Sequence, residues 1–175
     1  MDSSASKSTW TIEERSEARH EYVGGMLYAM AGSTDRHNRI AFNTSRKLAD
    51  ACDGGPCRVY ISDMRVQIGT VYYYPDVMVA CESPDTDNPT CRTNPCLVVE
   101  VLSAYSESID QREKRLAFRG IPTVQTYLIV HQDMRRVERH YRVDDWRRAD
   151  HVRDGYIPVP CPELRLTLED MYRGL

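Results

Sequence analysis

The chain has 175 residues, 41% of them hydrophobic and 28% charged, which is ordinary for one globular domain. No apolar run approaches the roughly 20 residues that span a bilayer, so a membrane protein built on helices is excluded. The net charge of −3 argues against a surface that attracts nucleic acid all over, though not against a local basic groove.

Residues 1–9 are polar, without an apolar signal core, and read as a leader to a single domain over 10–175 in a cytoplasmic protein. Thr11 and Glu14 have capping-box spacing and predict a short helix from Ile12 to Arg19. His20 to Met30 predicts a hairpin around Gly24-Gly25, its second arm apolar on both faces. Ser33-Thr34-Asp35 supplies helix-start chemistry. Ile40, Thr44, Lys47, Leu48 and Ala51 then fall near one face of a helix over Arg36 to Ala51, which Gly54-Gly55-Pro56 ends. Arg58 to Ile68 alternates as a strand. Val71 to Tyr74 and Asp76 to Cys81 form a further strand segment divided by Pro75, and Glu82 to Pro95 is a proline-rich loop. Cys96 to Leu102 is a short, valine-rich apolar run, the pattern of a central strand covered on both faces.

Ser106 or Ser108 can cap a helix from Ile109 to Arg119, closed by Gly120 and Pro122. Val124 to Val130 predicts another buried strand, and Arg136 to Arg142 with Arg147 to Val152 an exposed hairpin around Asp144-Asp145. Its charges of both signs suit a solvated face or, failing that, a protein interface. A short helical turn starts at Thr167. This order of elements predicts an α/β or α+β domain with a mixed sheet. The six cysteines include no C-x-x-C pair, and their spacings suit zinc poorly. They read as reduced, small apolar side chains.

Glu100 is the most informative residue. It stands in the middle of an apolar strand, and an ionised carboxylate buried there needs a partner. A solvated edge strand or a buried salt bridge would satisfy it; so would a cation. Asp76 heads the preceding strand behind Pro75. If the two strands are neighbours, both carboxylates can reach one hard cation such as Mg²⁺, with the Val101 carbonyl as a third oxygen. Lys114 shares a helical stripe with Asp110 and Phe118. It is either half of an ordinary Asp110–Lys114 helix pair or a cation placed to stabilise a phosphate. Of the 23 basic residues only Lys7, Lys47 and Lys114 are lysines, which makes each lysine position notable.

The segments Y-Y-Y-P-D-V-M-V-A, P-C-L-V-V-E-V-L-S and S-I-D-Q-R-E-K-R-L-A-F resemble the Uma-two-type family of the PD-(D/E)xK nuclease superfamily. E-Y-V-G-G-M-L-Y-A-M-A-G and C-R-V-Y-I-S-D-M-R-V extend the resemblance over about Glu21 to Tyr141. It implies a restriction-endonuclease-like mixed sheet flanked by helices, and a metal-dependent endonuclease acting on DNA with Mg²⁺ or Mn²⁺. It maps the superfamily's acidic residues onto Asp76 and Glu100. The superfamily's lysine usually lies two residues beyond the second acid, where this chain has Leu102; the resemblance supplies it from the next helix, as Lys114. Glu21 and His37 also match family positions and take supporting roles, with Asp110 beside Lys114. Arg15, Arg19 and Arg36 are candidates for flanking phosphates. Superfamily nucleases are often dimers, so a homodimer is expected. The alternative is an inactive nuclease fold kept as a nucleic-acid or protein-binding module.

Overall fold

The computed structural model describes residues 20–23, 26–29, 33–81, 88–102, 110–153 and 155–175, with backbone alone for 20–23, 26–29, 110 and 111. The helix expected over Ile12 to Arg19, the caps Ser106 and Ser108, and the burial expected for the second hairpin arm lie outside what is described.

Strands β1 (His20–Val23) and β2 (Met26–Ala29) pair antiparallel as the Gly24-Gly25 signal implies. Helix α1 (Asp35–Cys52) begins at Thr34, whose hydroxyl oxygen accepts from the His37 amide at 3.1 Å. That bond satisfies one of the donors a helix start leaves open. Ile40, Thr44 and Leu48 face inward as predicted, whereas Ala51 is exposed and Cys52 takes the last inward position.

The expected strand Arg58 to Ile68 is instead two. Ser62 adopts a left-handed φ of 38°, and the chain turns there between β3 (Arg58–Ile61) and β4 (Arg65–Ile68), which enter different sheets. β5 (Val71–Tyr73) and β6 (Val77–Ala80) separate in the same way at Pro75. A two-residue strand, β7 (Cys91–Arg92), interrupts the predicted loop. Strands β8 (Leu97–Leu102) and β9 (Thr126–His131) follow, joined by a crossover that contains helix α2 (Asp110–Arg119). β10 (Val137–Tyr141) and β11 (Arg148–His151) form the expected hairpin, but β10 is not exposed: it pairs with β9 and buries Val137, Glu138, His140 and Tyr141.

The C-terminal hairpin β12 (Tyr156–Pro160) and β13 (Glu163–Thr167) was not legible, since Pro158 and Pro160 argue against a strand. Both prolines face away from the core while Ile157 and Val159 are buried. Helix α3 (Leu168–Met171) starts at Thr167 with a full Thr167–Asp170 capping box.

The main sheet has the order β11-β10-β9-β8-β6-β3, mixed because β8 and β9 run parallel and the other neighbours antiparallel. A second sheet, β2-β1-β5-β4-β7, packs alongside. Alternation along β8 divides the core. Leu97, Val99 and Val101 join Ile40, Leu48, Val77, Val79, Leu128 and Ile157 under α1 and the C-terminal hairpin. Val98 and Leu102 join Met78, Phe118, Tyr127, Ile129 and Trp146 under α2. Burial of each such side chain contributes roughly 1.5–3 kcal/mol. With both faces covered, β8 has to be apolar throughout, which is why Glu100 stands out.

The reading of the cysteines as reduced is corrected for four of the six. Cys57 is bonded to Cys81 and Cys96 to Cys161, while Cys52 and Cys91 are free and buried. Continuing the β3–β6 register by one residue sets Cys57 opposite Cys81, a pairing that spacing alone could not reveal. Among the described residues no helix is long and apolar enough to cross a membrane.

Candidate metal centre and active site

Strands β6 and β8 pair with Val77 opposite Val99 and Met78 opposite Val98. One further step in that register carries Asp76 to the place opposite Glu100. Residues opposite one another on an antiparallel pair share a face. The two acids therefore come from adjacent strand ends. Asp76 directly precedes β6, and its carbonyl still accepts from Ser62 N–H at 3.2 Å. Its side chain turns onto the neighbouring strand, where Oδ2 accepts from the Val101 amide at 2.7 Å. Such a charge-assisted bond is worth about 1.5–3 kcal/mol.

The first turn of α1 closes the site from the other side. His37 Nε2 lies 3.3 Å from Asp76 Oδ2, with the side chains only 14% and 17% exposed. Burial pulls the His37 imidazole down. The Asp76 carboxylate, by hydrogen bond and by charge, and the Val101 backbone push it up further, and the net is a rise above its ordinary value. This helix start is held in place by the end of β9: the Thr34 hydroxyl donates to Gln132 Oε1 at 2.6 Å, and the Arg36 guanidinium donates to the Gln132 carbonyl. Arg36 is thus engaged with the protein's own backbone. Arg15 and Arg19 lie outside the described residues.

Glu100 is half-buried with its Oε1 fully enclosed, and alternation puts it on the α2 face of the sheet with Val98 and Leu102. Lys114 is half-buried on α2, one turn before Phe118, whose ring packs on that same face. Asp110 is the first residue of α2 and Glu21 lies in β1 opposite Tyr28; their side chains are not described. Leu102 is 6% exposed in the core beneath α2, so a lysine there would have to bury its charge.

Arg142 fixes the far end of α2. Its guanidinium donates to the carbonyls of Val124 at 2.7 Å, Arg119 at 3.0 Å and Ile121, and lies 4.9 Å from the Trp146 ring centroid. The arginine caps carbonyls that a helix end leaves open. Reading the sequence missed this anchor and the Thr34–Gln132 tie, because both join residues far apart in the chain.

The Asp76 and Glu100 carboxylates and the Val101 carbonyl are hard oxygen donors of the kind Mg²⁺ and Mn²⁺ take. The contents of the site fit such an ion in chemistry.

Residues 8–170 match the model of the Uma2 family, described as "Putative restriction endonuclease". The chain belongs to this family. Two proteins of Synechocystis sp. (strain ATCC 27184 / PCC 6803 / Kazusa) are similar to it along most of their length. The "Uncharacterized protein slr1290" is 33% identical over 167 residues, 93% of this chain and 88% of that protein. The "Uncharacterized protein sll1609" is 39% identical over 137 residues, 76% and 77% of the two chains. In fold, the Uma2 chain is similar to a crystal structure from Anabaena variabilis ATCC 29413 described as "a putative nuclease belonging to DUF820", with a TM-score of 0.74 and 17% identity over 90% of this chain and 91% of that one. The nuclease-like fold implied by the sequence motifs is therefore the fold this Uma2 protein has.

Proposed function

We propose that this Uma2 protein is an endonuclease that hydrolyses DNA phosphodiester bonds with Mg²⁺ or Mn²⁺. The observation that supports the reading is the β6–β8 register, which continued by one step brings Asp76 opposite Glu100. Asp76, Glu100 and the Val101 carbonyl would hold the ion. When bound, it supplies charge neutralisation at the scissile phosphate and a lowered pKa for water.

The protein's own groups do the rest. Val101 N–H fixes one Asp76 oxygen, and the other would be the one offered to the ion. His37, 3.3 Å from the oxygen that Val101 N–H fixes, helps orient that carboxylate. Lys114 orients the attacking water and stabilises charge that develops on the phosphate, an effect that reaches about 10²–10³-fold in comparable sites. We propose that the enzyme acts in the cytoplasm as a homodimer; a single monomeric species at high concentration in gel filtration would remove the second part.

Nicking of supercoiled plasmid tests the reading. Cleavage is expected with Mg²⁺ or Mn²⁺, is abolished by chelation, and is lost in Asp76→Ala and Lys114→Ala. A second reading is favoured by Leu102, buried where the superfamily's lysine usually stands: an inactive fold retained as a binding module. Binding of DNA without metal, and no cleavage of any substrate, would establish that reading instead.

A further inference from the structure

The strands that present Asp76 and Glu100 also carry cysteines at their other ends. Cys81 directly follows β6 and Cys96 directly precedes β8. Cys57 directly precedes β3, and Cys161 lies in the turn between β12 and β13. About five residues of strand separate the two ends, roughly 16 Å, so this is a place distinct from the candidate active site. Four separate backbone segments deliver four sulfurs to one point.

The sulfurs are joined as Cys57–Cys81 and Cys96–Cys161, closing sequence separations of 24 and 65 residues. The bonds are not independent staples. Cys81 Sγ lies 3.2 Å from Cys161 Sγ and 3.7 Å from Cys96 Sγ, each across from one bonded pair to the other. Stabilisation by a disulfide depends on the loop it closes and asks for no neighbouring disulfide. A tetrahedral tetrathiolate centre does ask for this crowding: with zinc–sulfur bonds of about 2.3 Å, its sulfurs sit roughly 3.8 Å apart. The Cys57, Cys81 and Cys161 sulfurs all fall within 4.8 Å of one another, and Cys96 Sγ is bonded to Cys161 and 3.7 Å from Cys81 Sγ. Cys96 is 6% exposed and the other three are half-buried, the enclosure of a structural site rather than an open catalytic one. No oxygen ligand contributes to the set. Its softness selects zinc over the hard ions suited to Asp76 and Glu100.

We propose that in the reduced protein Cys57, Cys81, Cys96 and Cys161 bind one Zn²⁺ as a tetrathiolate. A dithiol-class reductant delivers four electrons and four protons to the two disulfides and gives four thiols. Binding of one Zn²⁺ then forms four zinc–sulfur bonds and releases four protons to solvent. The site ties β3, β6 and β8 to the C-terminal hairpin, linking the sheet to the element packed on its α1 face. It does not depend on the nuclease reading.

The test uses the full chain, reduced with a phosphine and kept anaerobic, loaded with Zn²⁺ or Co²⁺ after removal of excess metal. Elemental analysis and native mass spectrometry are expected to find one zinc per chain. Co²⁺ is expected to give intense tetrahedral d–d bands with sulfur-to-cobalt charge transfer, a reading on the wild-type chain that needs no variant. Cys161→Ser, in a turn, is expected to weaken zinc binding by at least about tenfold, while Cys52→Ser leaves the stoichiometry at one. The proposal is overturned if the reduced chain takes up no stoichiometric zinc, if Co²⁺ shows an octahedral spectrum without sulfur charge transfer, or if both disulfides persist under reductant.

Discussion

Replacing Asp76 by Asn separates what the carboxylate does for the fold from what it does for chemistry. The amide oxygen can still accept from Val101 N–H, the bond that measures 2.7 Å in the wild type. That bond then changes from charge-assisted, about 1.5–3 kcal/mol, to neutral, about 0.5–1.5 kcal/mol. The contact with His37 at 3.3 Å also loses its charge, but it is partly exposed and screened. The expected cost is about 1–2 kcal/mol, a fall in Tm of roughly 2–8 °C for a domain of this size. The same substitution removes one negative charge from the proposed metal set, and plasmid nicking is expected to fall by at least about 100-fold. Circular dichroism melts and nicking rates at saturating Mg²⁺, well below the variant's Tm, read the two effects separately. A folded Asp76→Asn protein that nicks within tenfold of wild type would refute the placing of Asp76 at the reacting centre.

Two further predictions concern stability. Arg142→Met keeps the apolar stem over Trp146 but removes the donors to Val124, Arg119 and Ile121. It is expected to cost about 2–4 kcal/mol and to lower Tm by about 5–15 °C; a shift below about 2 °C would show that the guanidinium does not secure the end of α2. His140 is 1% exposed, with Nδ1 3.1 Å from the Trp146 carbonyl. Burial, with help from Arg115 and Arg119, holds it below its ordinary pKa against the opposing pull of the Trp146 hydrogen bond and Glu138. Its contribution to stability is therefore present above the unfolded value near 6.5 and lost as pH falls. Between pH 7.5 and 5.5 the wild type is expected to lose up to about 1.4 kcal/mol relative to His140→Asn. Urea titrations at both pH values check this, and equal slopes for the two proteins would contradict it.

What could be read from the sequence follows from how local each signal is. Glu100 was visible because a strand covered on both faces leaves a carboxylate no neutral background to hide in. Thr34 and Thr167 announced their helices through bonds made within three residues. The register that sets Asp76 opposite Glu100 was only a condition at that level, since alternation identifies strands without saying which pair. The turn at Ser62 needs a left-handed residue that is not glycine, so no punctuation marked the split between β3 and β4. The prolines of β12 hid a strand whose exposed positions they occupy. The sulfur cluster was missed because ligand spacing presumes knuckles of nearby cysteines, while these four come from four remote segments.

The parallel pairing of β8 with β9 has an evolutionary corollary. Antiparallel neighbours can be joined by a tight turn, but a parallel pair obliges the chain to leave Glu100's strand, travel back along the sheet and re-enter beside it. That return path contains α2, which packs Phe118 onto the face of β8 that carries Val98 and Leu102. With the amine on the helix, as proposed for Lys114, a search for relatives keyed to a fixed interval between acid and lysine would pass such chains by.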